Sequence, residues 1–219
     1  MTAQTKTTLR LQVVSDIICP WCFIGKRALD KALEILAARG ADIEVEWLPY
    51  QLNPALPAEG MDRKAFRSVR FGSWANAQAM DNRAVEAGKG VGADFQYERQ
   101  TRTSNTLAAH ALGRLARVEG GAVLQGRVME ALFVAYFTNG EDVGDPAVLA
   151  RIAEAAGMEA EAVSRSQRLR GEVLQLEEQA RNAGLNGVPS YLIDGELLFS
   201  GSQSVDGYVR TLAAASGLN

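Results

Sequence analysis

The stretch that most constrains this chain is Cys19-Pro20-Trp21-Cys22, because it stands where an alternating strand gives way to an amphipathic helix. Upstream, Leu9, Leu11 and Val13 fall on one face of a strand, and the apolar run continues through Ile17 and Ile18 into the first cysteine. Downstream, from Pro20 to about Arg39, Leu29, Ala32, Leu33 and Leu36 share one helical face. Lys26, Asp30 and Glu34 share another, and Gly40 supplies a stop. Ile43, Val45 and Trp47 then alternate with Glu44 and Glu46, a second strand that ends before Pro49. Strand, helix and strand in this order make a βαβ unit.

After QLNPALPAEG the pattern changes, and residues 61 to 183 read as helices separated by short breaks, with no strand. One helix starts near Ser104 or Asn105, either of which can cap it, and buries Leu107, Ala108, Ala111, Leu112 and Leu115. A second, over about 123 to 137, is apolar on most sides, with Phe133, Tyr136 and Phe137 reading as core. A third opens at Asp145-Pro146 and stops at Gly157, and a fourth spans roughly 167 to 182. The β pattern returns in VPSYLIDGELLF, where Asp194-Gly195 predicts the turn of a hairpin. A last helix carries Val205, Tyr208, Val209 and Leu212 at helical spacing.

At a strand-to-helix junction the first cysteine meets the unpaired N–H groups and positive dipole end of the helix, which favour thiolate over thiol. Pro20 suits the first turn, and Cys22 lies one turn on, within reach to close a disulfide on Cys19. So short a loop gains only about 2 kcal/mol from closure, so reversible redox chemistry explains the spacing better than stapling. Buried inert cysteines, or a zinc site completed by His110 and a carboxylate, are the competing readings. With two cysteines and one histidine in 219 residues, neither a disulfide scaffold nor a closed structural zinc site is available. The formal net charge of −3 gives no footprint for nucleic acid, and no apolar run is long enough for a membrane span. MTAQTKTT lacks the basic and apolar regions of a secretory leader, so a reducing cytoplasm is expected.

His110 falls on the apolar side of its helix, where it either packs at a helix interface or reaches a substrate groove or proton-transfer position. Arg63, Arg67 and Arg70, with Lys64 beside them, make a basic helical face: a solvated surface, or the wall of a groove that attracts acidic peptides or glutathione. GKGVG at 88 to 92 lacks the strand that precedes a nucleotide loop and reads as a connection.

SDIICPWCFIGKRAL, SNTLAAHALGRLA, ALFVAYFTNGEDVGD and GVPSYLIDG followed by FSGSQ resemble, in that order and over nearly the whole chain, the DsbA-like thioredoxin family in its cytoplasmic FrnE-like branch. That branch is related to the 2-hydroxychromene-2-carboxylate isomerases. The resemblance implies an α/β thioredoxin-like fold, βαβ…ββα, with a large all-helical domain inserted between the halves. The discontinuous thioredoxin-like domain would take residues 1–56 and 184–219, and the insertion 57–183. It further implies a dithiol/disulfide oxidoreductase in which Cys19 attacks and Cys22 resolves. Pro189 would match the cis-proline facing the motif. Val188 would offer its backbone to an extended substrate, with Pro20 and Trp21 beside it. The periplasmic oxidant DsbA carries a histidine between its cysteines, whereas Trp21 brings no charge, so a less oxidising couple is expected here.

The expected partners are protein or peptide thiols and disulfides, with no nucleic acid and no membrane. The oligomeric state stays open, a dimer included. No tightly bound cofactor and no metal is expected, and glutathione is a candidate reductant or co-substrate. Two other functions compete. One is a glutathione-dependent isomerase or transferase of the kappa or 2-hydroxychromene-2-carboxylate isomerase type, which generally place serine at the position of Cys19. The other is a chaperone-like protein that uses the groove for binding alone.

Overall fold

The computed structural model describes residues 8–218; residues 1–7, which hold most of the MTAQTKTT segment on which the expectation about a secretory leader rests, and residue 219 lie outside it. Strand β1 (Leu9–Ser15) runs into helix α1 (Pro20–Ala38), and the chain returns through β2 (Ile43–Pro49), which pairs with β1 in parallel. Near the end of the chain, β5 (Ser190–Ile193) pairs antiparallel with β1, and β6 (Glu196–Ser200) with β5, giving the order β2-β1-β5-β6. The inner strand β1 is apolar on both faces, and Leu11, Val13 and Val14 are all buried. Pro49 is not beyond the strand but its last residue, opposite Ser15. A proline is tolerated there because β2 is an edge strand, so its missing N–H interrupts no inner ladder.

Helix α1 lays Phe23, Ala28, Leu29, Ala32 and Leu36 into the core. It ends where Gly40 adopts a positive φ of 94° and the Ala41 N–H reaches back to the Leu36 carbonyl. Asp194 and Gly195, both at positive φ, form the hairpin turn read from the sequence. Helix α8 (Val205–Ala215) closes the chain against α1.

Between β2 and β5 the chain is mostly helical: α2 (Arg63–Arg70), α3 (Trp74–Lys89), α4 (Leu107–Phe133), α5 (Pro146–Ala155), α6 (Ala162–Ser166) and α7 (Arg170–Asn182). The expectation of no strand here is corrected by a ribbon of two residue pairs, β3 (Met61–Asp62) with β4 (Arg102–Thr103), too short to leave a periodic signature. The two helices expected on either side of residue 120 are one element, α4, broken at Gly120 and Gly121. Its N-cap residue is neither Ser104 nor Asn105 but Thr106, whose side chain makes no capping bond; Asn105, just before it, accepts the Leu107 N–H, and Ser104 donates to Asp142. The helix expected over 167 to 182 consists of a tight turn at Gln167–Leu169 followed by α7, with the short α6 running into that turn from before it. GKGVG forms the last turn of α3 and its exit.

Two devices fasten the helices to the sheet. The buried Gln125 amide of α4 accepts the Trp47 N–H (2.9 Å) and donates to the Trp47 carbonyl (2.8 Å), pairing with the outer edge of β2. On α7, Glu177 accepts the Gln51 N–H, and Arg181 donates to the Gln51 carbonyl while stacking over the Tyr50 ring. Phe23 of α1 stacks on Phe133 and Phe137 with centroids 5.5 and 5.7 Å away, so Phe133, Tyr136 and Phe137 are core, as their spacing predicts.

Candidate active site

Cys19 is the N-cap residue of α1, with Pro20 at the first helical position. A tight turn brings its N–H onto the Asp16 carbonyl, and its own carbonyl accepts the N–H groups of Cys22 and Phe23. The sulfur therefore sits at the positive end of a 19-residue helix, where a thiolate is favoured. Cys19 is only 4% exposed, with the Val188 carbonyl against its sulfur. Its Sγ donates to the Val188 carbonyl at 3.6 Å. The Val188–Pro189 peptide is cis, as the resemblance implies. Cys22 is 1% exposed, one turn inside the helix, and both thiols are free. Burial, reinforced by Cys19, pushes the Cys22 thiol well above its ordinary range.

A groove of about 370 Å³ opens onto this junction, with Cys19, Pro20, Trp21 and Val188 on one wall. Trp21 is 40% exposed at its edge. The opposite wall comes from α2 and α3, with Phe66 and Met80 as its apolar part and Arg67, Arg70 and Arg83 against one carboxylate, Asp81. A larger depression of about 1040 Å³ runs along β2 between α1 and α4, but no cysteine lines it, so its size gives it no claim on the thiol chemistry.

The basic face divides: Lys64 and Arg70 are exposed, whereas Arg67 is half-buried and Arg63 is buried. Arg63 is 3% exposed, with its Nε on Gln100 (2.9 Å) and its Nη2 on Asp81 (2.7 Å), and its guanidinium lies over the Trp74 and Tyr97 rings. Arg67 reaches the other Asp81 oxygen at 2.5 Å, and burial pulls its guanidinium below the ordinary range. Among the described residues neither Arg70 nor Arg83 has an ion-pair partner, so both charges are available to the groove. Tyr136 also lines the groove, and burial raises its phenol to about 12.

His110 is not a groove residue. It is buried on α4, with Nε2 3.3 Å from the Asp16 carboxylate, on the protein side of the turn that carries Cys19. The other Asp16 oxygen accepts the Leu52 N–H. Arg83, Asp81 and Asp16 have no sequence signal linking them to the cysteines, since their nearness depends on packing between distant segments. Among the described residues no group of three or more His, Cys, Asp or Glu side chains could hold a metal ion, and no helix is long and apolar enough to cross a membrane.

A family model described as the DSBA-like thioredoxin domain matches residues 10–213. The uncharacterized protein YwbO of Bacillus subtilis (strain 168) is 24% identical over 211 residues, 94% of this chain and 96% of its own. Among solved structures, the probable DsbA oxidoreductase SCO1869 of Streptomyces coelicolor is 26% identical with a TM-score of 0.81, over 96% of this chain and 91% of that one. The cytosolic disulfide reductase DsbM of Pseudomonas aeruginosa, solved with GSH, has a TM-score of 0.65 at 16% identity, over 94% and 98% of the two chains. At that identity the likeness is one of fold.

Proposed function

The chain belongs to the DSBA-like thioredoxin domain family, and from that premise we propose that it is a cytoplasmic thiol:disulfide oxidoreductase with Cys19 as nucleophile and Cys22 as resolving thiol. The observation that carries this reading is the placement of Cys19 Sγ. It belongs to the N-cap residue of α1, lines the groove and lies 3.6 Å from the carbonyl that precedes cis-Pro189.

The Cys19 thiolate attacks one sulfur of a substrate disulfide. The S–S bond breaks, one half leaves as a thiolate, and the other half stays on Cys19 as a mixed disulfide. Cys22 then attacks Cys19 Sγ, the Cys19–Cys22 bond forms, and the second half leaves. The substrate has gained two electrons and the enzyme has lost them. Two equivalents of a thiol reductant restore the dithiol, and the reverse sequence oxidises a substrate dithiol.

Glutathione suits this groove as that reductant. Arg70 and Arg83 on its wall offer cationic partners for the two carboxylates, and the small size of glutathione suits the volume available. The GSH-bound disulfide reductase of the same fold supports this choice, as it supports a cytosolic setting. Because Trp21 brings no positive charge to the motif, the potential should be more negative than about −120 mV, the DsbA value.

Reduction of insulin and of bis(2-hydroxyethyl) disulfide by glutathione tests the assignment. Cys19→Ser should lower turnover at least about 10³-fold. Cys22→Ser should still form the mixed disulfide and then stall with substrate attached to Cys19. Full activity in Cys19→Ser would rule the mechanism out.

A further inference from the structure

Among the buried tyrosines, Tyr50, Tyr191 and Tyr208 all have partners for their hydroxyls: Arg181 donates to Tyr50, and Tyr191 and Tyr208 bond each other. Tyr136 differs. It is 5% exposed and its ring meets Phe137 edge to face at 4.9 Å, yet among the described residues its hydroxyl has no hydrogen-bond partner. Tyr136 also lines the groove that holds Cys19, whereas Tyr97, whose hydroxyl is enclosed without a partner, does not.

The backbone places Tyr136 there by an irregularity. Directly after α4, residues Val134–Thr138 wind as a π turn, closed by the Asn139 N–H on the Val134 carbonyl (3.0 Å). Such turns shift the side chains that follow and recur at functional sites. Gln100, itself bonded to Arg63, donates to the Tyr136 carbonyl at 2.6 Å and fixes the turn. The groove holds one carboxylate, Asp81, and Arg63 and Arg67 occupy both its oxygens, so the one anionic acceptor is spent. Burial keeps the phenol protonated, raising it to about 12, and the hydroxyl remains a neutral donor. A phenylalanine would fill the same core position, and an enclosed hydroxyl is costly unless something accepts from it.

We propose that the Tyr136 hydroxyl is a substrate-binding donor: it takes a peptide carbonyl oxygen of the molecule whose sulfur reacts at Cys19, and so selects cysteinyl peptides, glutathione included, over disulfides without amides. A tripeptide spans about 10 Å, on the scale of a groove of about 370 Å³, so with its sulfur at Cys19 its amides come within reach of the phenol. The neutral donor suits a neutral acceptor, while Arg70 and Arg83 serve carboxylates. The selection rests on Cys19 as nucleophile, and the binding does not.

Tyr136→Phe tests it, because the ring and its packing remain. Three substrates are compared: the uncharged disulfide of N-acetylcysteine amide, glutathione disulfide, and bis(2-hydroxyethyl) disulfide, which has no amide. The ratio of kcat/KM for the first to that for the last should fall about five- to tenfold, through KM, and glutathione disulfide should fall with the first. The melting temperature should equal or exceed the parent's, since no bond within the protein is lost. Equal losses on all three substrates, with or without a lower melting temperature, would make the hydroxyl part of the framework and overturn the proposal. A loss confined to glutathione disulfide would give the hydroxyl a carboxylate partner and overturn it equally. Calorimetry of S-methylglutathione binding to the Cys19→Ser protein, with and without Tyr136→Phe, removes the reaction from the test, and affinity should again fall about five- to tenfold. If that difference is present while Cys19→Ser retains turnover, the assigned reaction fails and the donor role stands. If the affinities match, the donor role fails whatever the reaction.

Discussion

On the helical wall of the groove, one carboxylate, Asp81, receives two guanidiniums, Arg63 and Arg67, while Arg70 and Arg83 stand beside it without ion-pair partners among the described residues. On the sheet wall the only carboxylate, Asp16, is turned inward to the Leu52 N–H and to His110, and the groups that face outward are Cys19, Pro20, Trp21 and Val188. One wall carries an excess of fixed positive charge in a chain of formal net charge −3, and the other carries Cys19, the proposed nucleophile. On the proposed reaction, recognition and chemistry fall to elements far apart in sequence, and each can be altered separately.

The largest effect should come from removing the carboxylate that holds the helical wall together. Asp81→Ala leaves Arg63 enclosed with an uncompensated charge and should cost about 3–5 kcal/mol, measured by urea unfolding. Alkylation of Cys19 in the folded fraction should stay within a few-fold of the parent. A loss below about 1 kcal/mol would mean that Gln100 and the Trp74 and Tyr97 rings hold Arg63 unaided.

Gln125→Ala supplies a comparison away from both walls. It leaves the Trp47 N–H and carbonyl without partners and should cost about 2–4 kcal/mol, with KM unchanged. A changed KM would show that the seam between helices and sheet also shapes the groove.

Arg70→Ala combined with Arg83→Ala sharpens the division of labour. KM for glutathione disulfide should rise about tenfold, while turnover of uncharged bis(2-hydroxyethyl) disulfide stays within about twofold. Equal losses on both substrates would place these arginines in the framework, not in recognition.

The smallest effect is on stability in alkali. The folded Cys22 thiol lies above its ordinary value, so the native dithiol form holds a proton that the unfolded chain releases first. Its contribution is complete below the unfolded thiol pKa and declines as pH rises from about 9 toward the raised folded value, by at most about 1.4 kcal/mol per unit. Tyr191 and Tyr208 extend the decline above pH 10. Stability of Cys22→Ala should fall less between pH 8.5 and 10, and parallel curves would remove the thiol from this account.

What could be read in the sequence followed local periodicity. The βαβ unit around Cys19 and Cys22, the Asp194-Gly195 hairpin and the final helix each declare themselves within a few residues through alternation, helical spacing or turn chemistry. What could not be read depends on distant partners. Arg63 looks like one member of a basic stripe until Asp81 and Gln100, 18 and 37 residues on, are packed against it. His110 meets Asp16 across 94 residues. The β3–β4 ribbon holds too few residues for any period, and the division of α6 from α7 reflects how the segment turns against α4.

The attachment of Gln125 to Trp47 has an effect beyond holding the helices in place. A free sheet edge is a template onto which a foreign strand can add, and β2 presents one along its length. At its centre the two hydrogen bonds that an incoming strand would make are already taken by a side-chain amide. Glu44 and Glu46 nearby are engaged by Arg117 and Arg114. The opposite border, β6, carries exposed Leu197 and Leu198 and follows a register irregularity in its pairing with β5. Growth of this sheet into a larger aggregate, under heat or crowding, is therefore directed away from β2 and toward the hairpin.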